Sequence, residues 1–195
     1  MSGMLNPVSL DEALAPLGQT LAARGLSYEL VAVGGGSLLL LGLIRRPTRD
    51  VDVVALVVGG SYAKAKPLPD ELAKAAADVG EALGLGADWL NPGPTDLLDL
   101  GLPEGFSDRV EIRRYGALTL QLASRQDQIY LKLYASVDQG PRSRHFDDLR
   151  TLGASASELL AGAQWAITHD PSSGFREQLV STLSALGISD AESRL

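Results

Sequence analysis

The sequence predicts an α/β (α+β) protein, with a mixed-sheet head over residues 1–123 and a helical C-terminal part over residues 124–195 that packs on the head. Strand-like runs alternate with helical patterns in the head, whereas only helical patterns follow it. A chain of 195 residues with 45% apolar and 21% charged residues has the balance of a globular protein. It is long enough to bury its own core without a disulfide or a structural metal.

Local patterns predict each element of the head. The first helix has Ser9 as a candidate cap and Gly25 at its end, and Pro16 predicts a break or kink inside it. The run LLLLGLI, after a glycine turn, predicts a short buried helix starting at Ser37. Helices are predicted over 9–25 and 69–84, strands over 27–33, 50–58, 109–115 and 117–123, and an irregular stretch over 86–107.

The C-terminal part has helical spacing throughout. Ile129, Leu133 and Val137 fall on one side of a helix, and Ser155 with Glu158 forms a capping-box pattern. Helices are predicted over 125–138, 144–152, 155–168 and 171–187.

Composition excludes several classes of site. The chain has no cysteine, which removes disulfides, cysteine–zinc sites, iron–sulfur clusters and thiol nucleophiles. No basic segment followed by an apolar core is present at the N-terminus, so no signal peptide is predicted. The longest uncharged run, residues 30–44, is too short to span a bilayer. We therefore expect a cytoplasmic protein without a membrane partner.

The overall charge is acidic, but the basic residues are clustered. Seventeen Lys and Arg against 24 Asp and Glu give a net charge of −7, which argues against broad, sequence-independent binding of duplex nucleic acid. A local basic groove remains compatible with this charge. Three stretches are locally basic: Arg45, Arg46 and Arg49; Arg109, Arg113 and Arg114; and Arg142, Arg144 and Arg150.

Asp50 and Asp52 are the strongest chemical signal in the sequence. Their spacing on a predicted strand places both carboxylates on one face, about 7 Å apart along the chain. They adjoin an apolar core, where an unpaired charge is costly, and a divalent cation such as Mg2+ or Mn2+ would neutralise both. The alternative is a solvent-facing strand that happens to begin with two charges.

A glycine-rich segment precedes this pair. Gly34, Gly35, Gly36 and Ser37 lie between a strand and a helix, where backbone N–H groups and a hydroxyl can face an anion. The alternative is an ordinary tight turn, for which one or two glycines suffice. The segment has neither the Gly-Lys-Ser/Thr of an ATPase phosphate loop nor the Gly-x-Gly-x-x-Gly of a dinucleotide-binding turn.

Together these segments form the pattern Gly-Gly-Gly-Ser followed by Arg46-x-Thr48-x-Asp50-x-Asp52. The pattern resembles the minimal nucleotidyltransferase superfamily, which has the DNA polymerase β-like fold. It is most similar to the branch that contains the AbiEii-type toxins and related bacterial proteins. Further segments that resemble this branch are Trp89-Leu90-Asn91, Lys132-Leu133-Tyr134-Ala135, the pair Arg142 and Arg144, and Asp148-Leu149.

The resemblance implies a role for each matching residue. Asp50 and Asp52 would bind Mg2+ or Mn2+ and act in catalysis. Lys132 would neutralise the triphosphate of an NTP substrate, and Asp148 would be a further acidic residue of the site. The nucleotide would be held by Gly35, Gly36, Ser37, Arg46 and Thr48.

One expected feature of this superfamily is weak here. Many members have a third carboxylate on a later strand, and the candidate in this chain is Glu111. Three arginines lie near Glu111 in the sequence, which favours a surface ion pair instead. His145, next to the acidic pair Asp147–Asp148, is a candidate base, and the alternative is a histidine on a helix surface.

The sequence therefore predicts a Mg2+-dependent nucleotidyltransferase that uses an NTP. The acceptor would be a hydroxyl of RNA (tRNA among them), protein or a small molecule, and the resemblance implies a toxin with an antitoxin partner. The alternative is a non-catalytic nucleotidyltransferase-fold module for interaction or nucleotide binding. A small-molecule transferase would need an acidic acceptor pocket, for which Glu104, Asp108 and Glu111 are the candidates.

Overall fold

The structure is a computed structural model that describes residues 7–195. Residues 1–6, which contribute to the prediction of no signal peptide, lie outside the described residues. The chain divides into two compact units, Met1–Ser124 and Arg125–Leu195, next to the predicted division after residue 123. The first unit combines helices with a mixed sheet and the second is helical, so the predicted α/β class is confirmed.

The first unit contains the strands. Its helices are α1 (Pro7–Ala23), α2 (Gly34–Leu40), α3 (Asp70–Ala82), α4 (Leu97–Leu100) and α5 (Phe106–Arg109), with a 3-10 turn at Gly93–Asp96. Its strands are β1 (Tyr28–Val33), β2 (Val51–Val58), β3 (Ser61–Lys64), β4 (Leu90–Asn91), β5 (Glu111–Tyr115) and β6 (Leu118–Leu122).

The sheet has the order β3-β2-β1-β6-β5, and β4 pairs with one end of β2. The pairs β1–β6 and β2–β4 are parallel, and the other pairs are antiparallel. The central strands β1 and β2 are buried over Leu30–Val33 and Val53–Ala55. Their continuous apolar runs are typical of strands covered on both faces.

Several predicted boundaries are wrong. Helix α1 begins at Pro7, so Ser9 lies inside it, and the helix continues through Pro16 without a break. Helix α2 begins at Gly34 and not at Ser37, so the glycines form its first turn. The prediction also missed β3, which follows a turn at Gly59 and Gly60, β4 within the irregular stretch, and α5, which begins in that stretch and extends past its end.

Trp89 anchors the segment that leads into β4. Its side chain is 1% exposed, and its indole N–H donates to the carbonyl of Ala76 in α3 at 2.7 Å. Its own carbonyl accepts from the backbone N–H of Val51 at 2.7 Å. Gly80 makes room for the ring, since a methyl group added there would lie 2.6 Å from Trp89 Cδ1 and 2.2 Å from the carbonyl oxygen of Gly86.

The second unit is a set of helices. They are α6 (Arg125–Gln139), α7 (Arg144–Thr151), α8 (Ala156–His169), α9 (Ser173–Ala185) and α10 (Ala191–Arg194). The predicted capping box is confirmed: Ser155 caps α8, and the Glu158 side chain returns to the Ser155 N–H at 2.8 Å. A hydrogen bond from the Arg125 side chain, together with one from the backbone N–H of Ser155, lowers the pKa of Glu158 to about 2.

Within residues 7–195, no helix combines the length and apolar character that crossing a membrane requires.

The packing of Trp89 predicts the effect of Gly80→Ala. We expect this change to lower the free energy of unfolding by about 1–3 kcal/mol, because the added methyl group meets backbone atoms that cannot turn away. Gly174→Ala is the matched control, since Gly174 is also helical but has no atom within 4 Å of the added methyl group. Urea denaturation measures both changes, and equal effects would contradict the assigned packing.

Candidate functional site

The carboxylates of Asp50 and Asp52 face a common point in the first unit. Asp52 is the second residue of β2, Asp50 directly precedes the strand, and both are half-buried. The amide nitrogen of Asn91, in β4, lies 2.9 Å from Oδ1 of Asp52 and 3.5 Å from Oδ2 of Asp50. One nitrogen therefore lies within hydrogen-bonding range of both carboxylates, as expected for two side chains on one face.

The first turn of α2 lies against this pair. Val33, the last residue of β1, pairs with Asp52, so Gly34 follows directly at the same level of the sheet. Gly34 has φ +72°, and a methyl group added there would lie 2.2 Å from Oδ2 of Asp52. At Gly36 an added methyl group would lie 3.1 Å from the Asp50 carbonyl oxygen. The glycines are therefore required by close approach to the start of β2.

Arg46 and Thr48 complete the cluster. A methyl group added at Gly35 would lie 3.0 Å from the Thr48 hydroxyl and 3.6 Å from a guanidinium nitrogen of Arg46. The Thr48 hydroxyl also donates a long hydrogen bond of 3.4 Å to Asp50. The fold thus brings together Gly35, Gly36, Arg46, Thr48, Asp50 and Asp52 from the predicted site.

Ser37 is completely buried in α2, and its hydroxyl has no hydrogen-bond partner within the part of the chain that the structure describes. A buried hydroxyl without a partner costs about 1–3 kcal/mol. Packing alone gives no reason for serine at this position, where alanine would fit without that cost. Its predicted role in nucleotide binding remains a prediction.

The carboxylates of Asp50 and Asp52 match a magnesium site that is completed by substrate phosphates. Residues 7–195 contain no group of three or more His, Cys, Asp or Glu side chains that could hold a metal ion. Mg2+ commonly binds through one or two carboxylates, with substrate phosphates and water completing its coordination. Two converging carboxylates fit that arrangement, in which the nucleotide itself supplies the remaining ligands.

Lys132 and Asp148 form a buried ion pair in the second unit. Lys132 lies on α6 and Asp148 on α7, with Nζ and Oδ2 separated by 2.8 Å and side-chain exposures of 5% and 2%. The sequence left open whether Lys132 extends to water or meets an anion, and the anion it meets is Asp148. The roles that the resemblance implies for both residues in nucleotide chemistry remain predictions.

Glu111 matches its predicted ion pair, whereas the contacts of Asn91 were not predicted. Glu111 forms an ion pair with Arg113, as the nearby arginines predicted. No role was predicted for the Asn91 side chain, although its amide contacts both carboxylates. Asn91 lies in β4, which has only two residues and is too short to show the alternation of apolar and polar residues that identifies a strand. The pairing of β4 with β2 therefore leaves no signal in the sequence.

A separate cleft in the first unit encloses about 400 Å³. None of the residues predicted for the site lines it, and its walls come from α1, α2 and β5. The lining residues are Asp11, Leu39, Leu40, Arg113, Arg114 and Tyr115.

Comparisons of the chain with protein-family models, curated proteins and solved structures find no match.

The contact between Gly34 and Asp52 can be tested by substitution. We expect Gly34→Ala to cost more stability than Gly25→Ala, by roughly 1 kcal/mol or more. Both glycines have positive φ and so carry a similar backbone strain of about 1–2 kcal/mol for alanine, but Gly25 has no atom near the added methyl group. Urea denaturation gives the difference, which should shrink in an Asp52→Ala background; an unchanged difference would contradict the contact.

The buried ion pair predicts a non-additive pair of substitutions. Lys132→Met should lower the free energy of unfolding by about 3–5 kcal/mol, because Asp148 is left buried without its cation. Adding Asp148→Leu should recover most of that loss. As a control, Arg24→Met, in the exposed pair with Asp78, should cost less than about 1 kcal/mol. Denaturation curves test this, and a double variant as unstable as Lys132→Met would contradict it.

Proposed function

We propose that this protein is a Mg2+-dependent nucleotidyltransferase of the superfamily that its sequence pattern resembles. The observation that carries the proposal is the convergence of Asp50 and Asp52 on one point beside Gly34. Two like charges held this close beside a buried strand are suited to a divalent cation. The Gly-Gly-Gly-Ser turn, Arg46 and Thr48 supply donors for phosphate groups around the same carboxylates.

The proposed reaction transfers a nucleotidyl group from an NTP to a hydroxyl. The hydroxyl oxygen forms a bond to the α-phosphorus, the bond from that phosphorus to the bridging oxygen breaks, and pyrophosphate leaves with the electron pair. The hydroxyl proton passes to solvent or to a carboxylate of the site. Asp50 and Asp52 would hold Mg2+, which neutralises developing charge on the phosphates when bound.

The second unit contributes to the proposal through the resemblance alone. Lys132 would neutralise the triphosphate and Asp148 would be a further acidic residue of the site. Because each is the buried partner of the other, Lys132 can act on a triphosphate only if it also releases or shares Asp148.

RNA, tRNA in particular, is the acceptor that the basic stretches favour. Arg114, Arg142, Arg144 and Arg150 are exposed, and local basic segments suit a polyanion even on an acidic protein. A protein or small-molecule hydroxyl is the other acceptor class within the same chemistry. A role as a toxin with an antitoxin partner, in the cytoplasm where NTPs are supplied, belongs to the proposal by analogy with the resembling branch.

A non-catalytic nucleotide-binding or interaction module is the second candidate. The observation that favours it is the amide of Asn91, which lies where the carboxylates converge and adds no third acid there. Such a module would bind NTP without transferring it, or would bind neither NTP nor cation.

Labelled-substrate transfer distinguishes the two candidates. The protein is incubated with each α-labelled NTP, Mg2+ and either total tRNA or total protein. We expect label to be transferred, and Asp50→Asn and Asp52→Asn to reduce transfer at least about a hundredfold, the order seen when a charge-stabilising group is removed from an active site. Asp88→Asn, which removes one exposed acid outside the cluster, is the matched control and should transfer normally.

Thermal unfolding with NTP and Mg2+ completes the design. A ligand at a hundred times its Kd stabilises a protein by about 2.7 kcal/mol, which raises Tm measurably. Stabilisation without transfer would identify a binding module. No transfer to any acceptor, or equal transfer by the aspartate variants, would refute the proposed enzyme.

A further inference from the structure

Asn91 is held at the level of the carboxylates by the short strand β4. β4 runs parallel to β2, with Leu90 opposite Val51 and Asn91 opposite Asp52. Side chains at opposite positions of neighbouring strands lie on the same face of a sheet. The Asn91 amide therefore meets Asp52 at 2.9 Å and extends to Asp50 at 3.5 Å.

The orientation of the amide is fixed by Gly93. The backbone N–H of Gly93 donates to Oδ1 of Asn91 at 2.9 Å. Because a backbone N–H can only donate, the oxygen of the amide must face Gly93 and its NH2 group must face the carboxylates. Asn91 therefore presents donors to Asp50 and Asp52, and its oxygen is committed elsewhere and is not offered as a metal ligand.

The backbone of Asn91 is also held firmly. Trp89 precedes it by two residues, is fully packed beside Gly80, and ties the segment both to Ala76 and to Val51. A side chain on so well anchored a segment loses little further entropy in making its hydrogen bonds. The amide is thus preorganised with respect to the carboxylates.

We propose that Asn91 is a positioning residue for the Asp50–Asp52 pair and sets the capacity of the pair for cations. The inference rests on the proposed function, in which this pair holds a divalent cation. The NH2 group orients both carboxylates without adding negative charge, so the pair offers two charged ligands and takes one cation. A carboxylate at position 91 would add a third charged ligand, and cation affinity in oxygen-ligand sites rises with ligand charge.

Mn2+ binding tests this role directly, with Mn2+ counted by the electron paramagnetic resonance of the free ion. We expect the unaltered protein to bind one Mn2+ and Asn91→Asp to bind Mn2+ at least about tenfold more tightly or to gain a second equivalent. Gln164→Glu is the matched control, because it makes the same amide-to-carboxylate change at an exposed position on α8. It should leave both affinity and stoichiometry unchanged.

A double-mutant cycle tests the positioning contact without any metal. Asn91→Ala, Asp52→Ala and the double variant are unfolded in urea with EDTA. Hydrogen bonds to charged groups are strong. We therefore expect the combined loss of stability in the two single variants to exceed the loss in the double variant, by a factor of about ten in the folding equilibrium constant. Additive losses would overturn the positioning role. If Asn91→Asp fails to fold, this double-mutant cycle alone tests the positioning role.

The outcomes separate this inference from the proposed function. If the unaltered protein binds Mn2+ and Asn91→Asp binds it identically, the inference is overturned and the proposed function stands. If only Asn91→Asp binds Mn2+, the role of Asn91 in limiting cation affinity is supported, and transfer by the natural chain is decided by the labelled-NTP assay. If neither binds Mn2+, the inference is overturned, and the proposed function is decided by the transfer assay, in which the nucleotide supplies further metal ligands.

Discussion

The close approach of α2 to the start of β2 is the constraint on which the candidate site depends. Val33 pairs with Asp52, and the chain turns into α2 at the very next residue. Within that first turn, a methyl group at Gly36 would already lie 3.1 Å from the backbone of Asp50. The glycines are therefore needed mainly because they let α2 lie close to β2. A larger side chain would separate the helix from the strand that carries the carboxylates.

The two pairs of charged residues differ in what they leave for a ligand. Lys132 and Asp148 are opposite charges, almost fully buried and paired with each other. Opening such a pair costs several kcal/mol, so the pair resists being opened for a ligand. Asp50 and Asp52 are like charges and half-buried, so a cation lowers their energy, whereas the Lys132–Asp148 pair has no net charge for a cation to neutralise. The physical case for chemistry is therefore stronger at Asp50 and Asp52.

The sequence predicts what depends on local pattern. The apolar runs of β1 and β2 and the capping box at Ser155 are local, and the structure has each of them. The convergence of the two aspartates follows from strand period. The start of α2 was misjudged because three glycines are poor helix formers, and here close packing overrides their propensity.

What the sequence does not predict depends on contacts between distant segments. β4 has two residues, and it exists because Trp89 is anchored to α3 and to Val51. The partner of Lys132 lies on another helix, so no spacing rule identifies it. The direction of the Asn91 amide depends on one backbone N–H, which no sequence pattern encodes.

The net charge of −7 does not describe the surroundings of Asp50 and Asp52. Around Asp50 and Asp52 the fold gathers donors: the amide of Asn91, the hydroxyl of Thr48 and, above Gly35, the guanidinium of Arg46. Electrostatic interactions are strongest at short range and are screened beyond about 8–10 Å in physiological salt. An anionic ligand at this site would therefore respond to these near donors and to any bound cation more than to the distant acidic surface. The acidity of the whole chain limits non-specific binding of polyanions, but it does not determine what this site can bind.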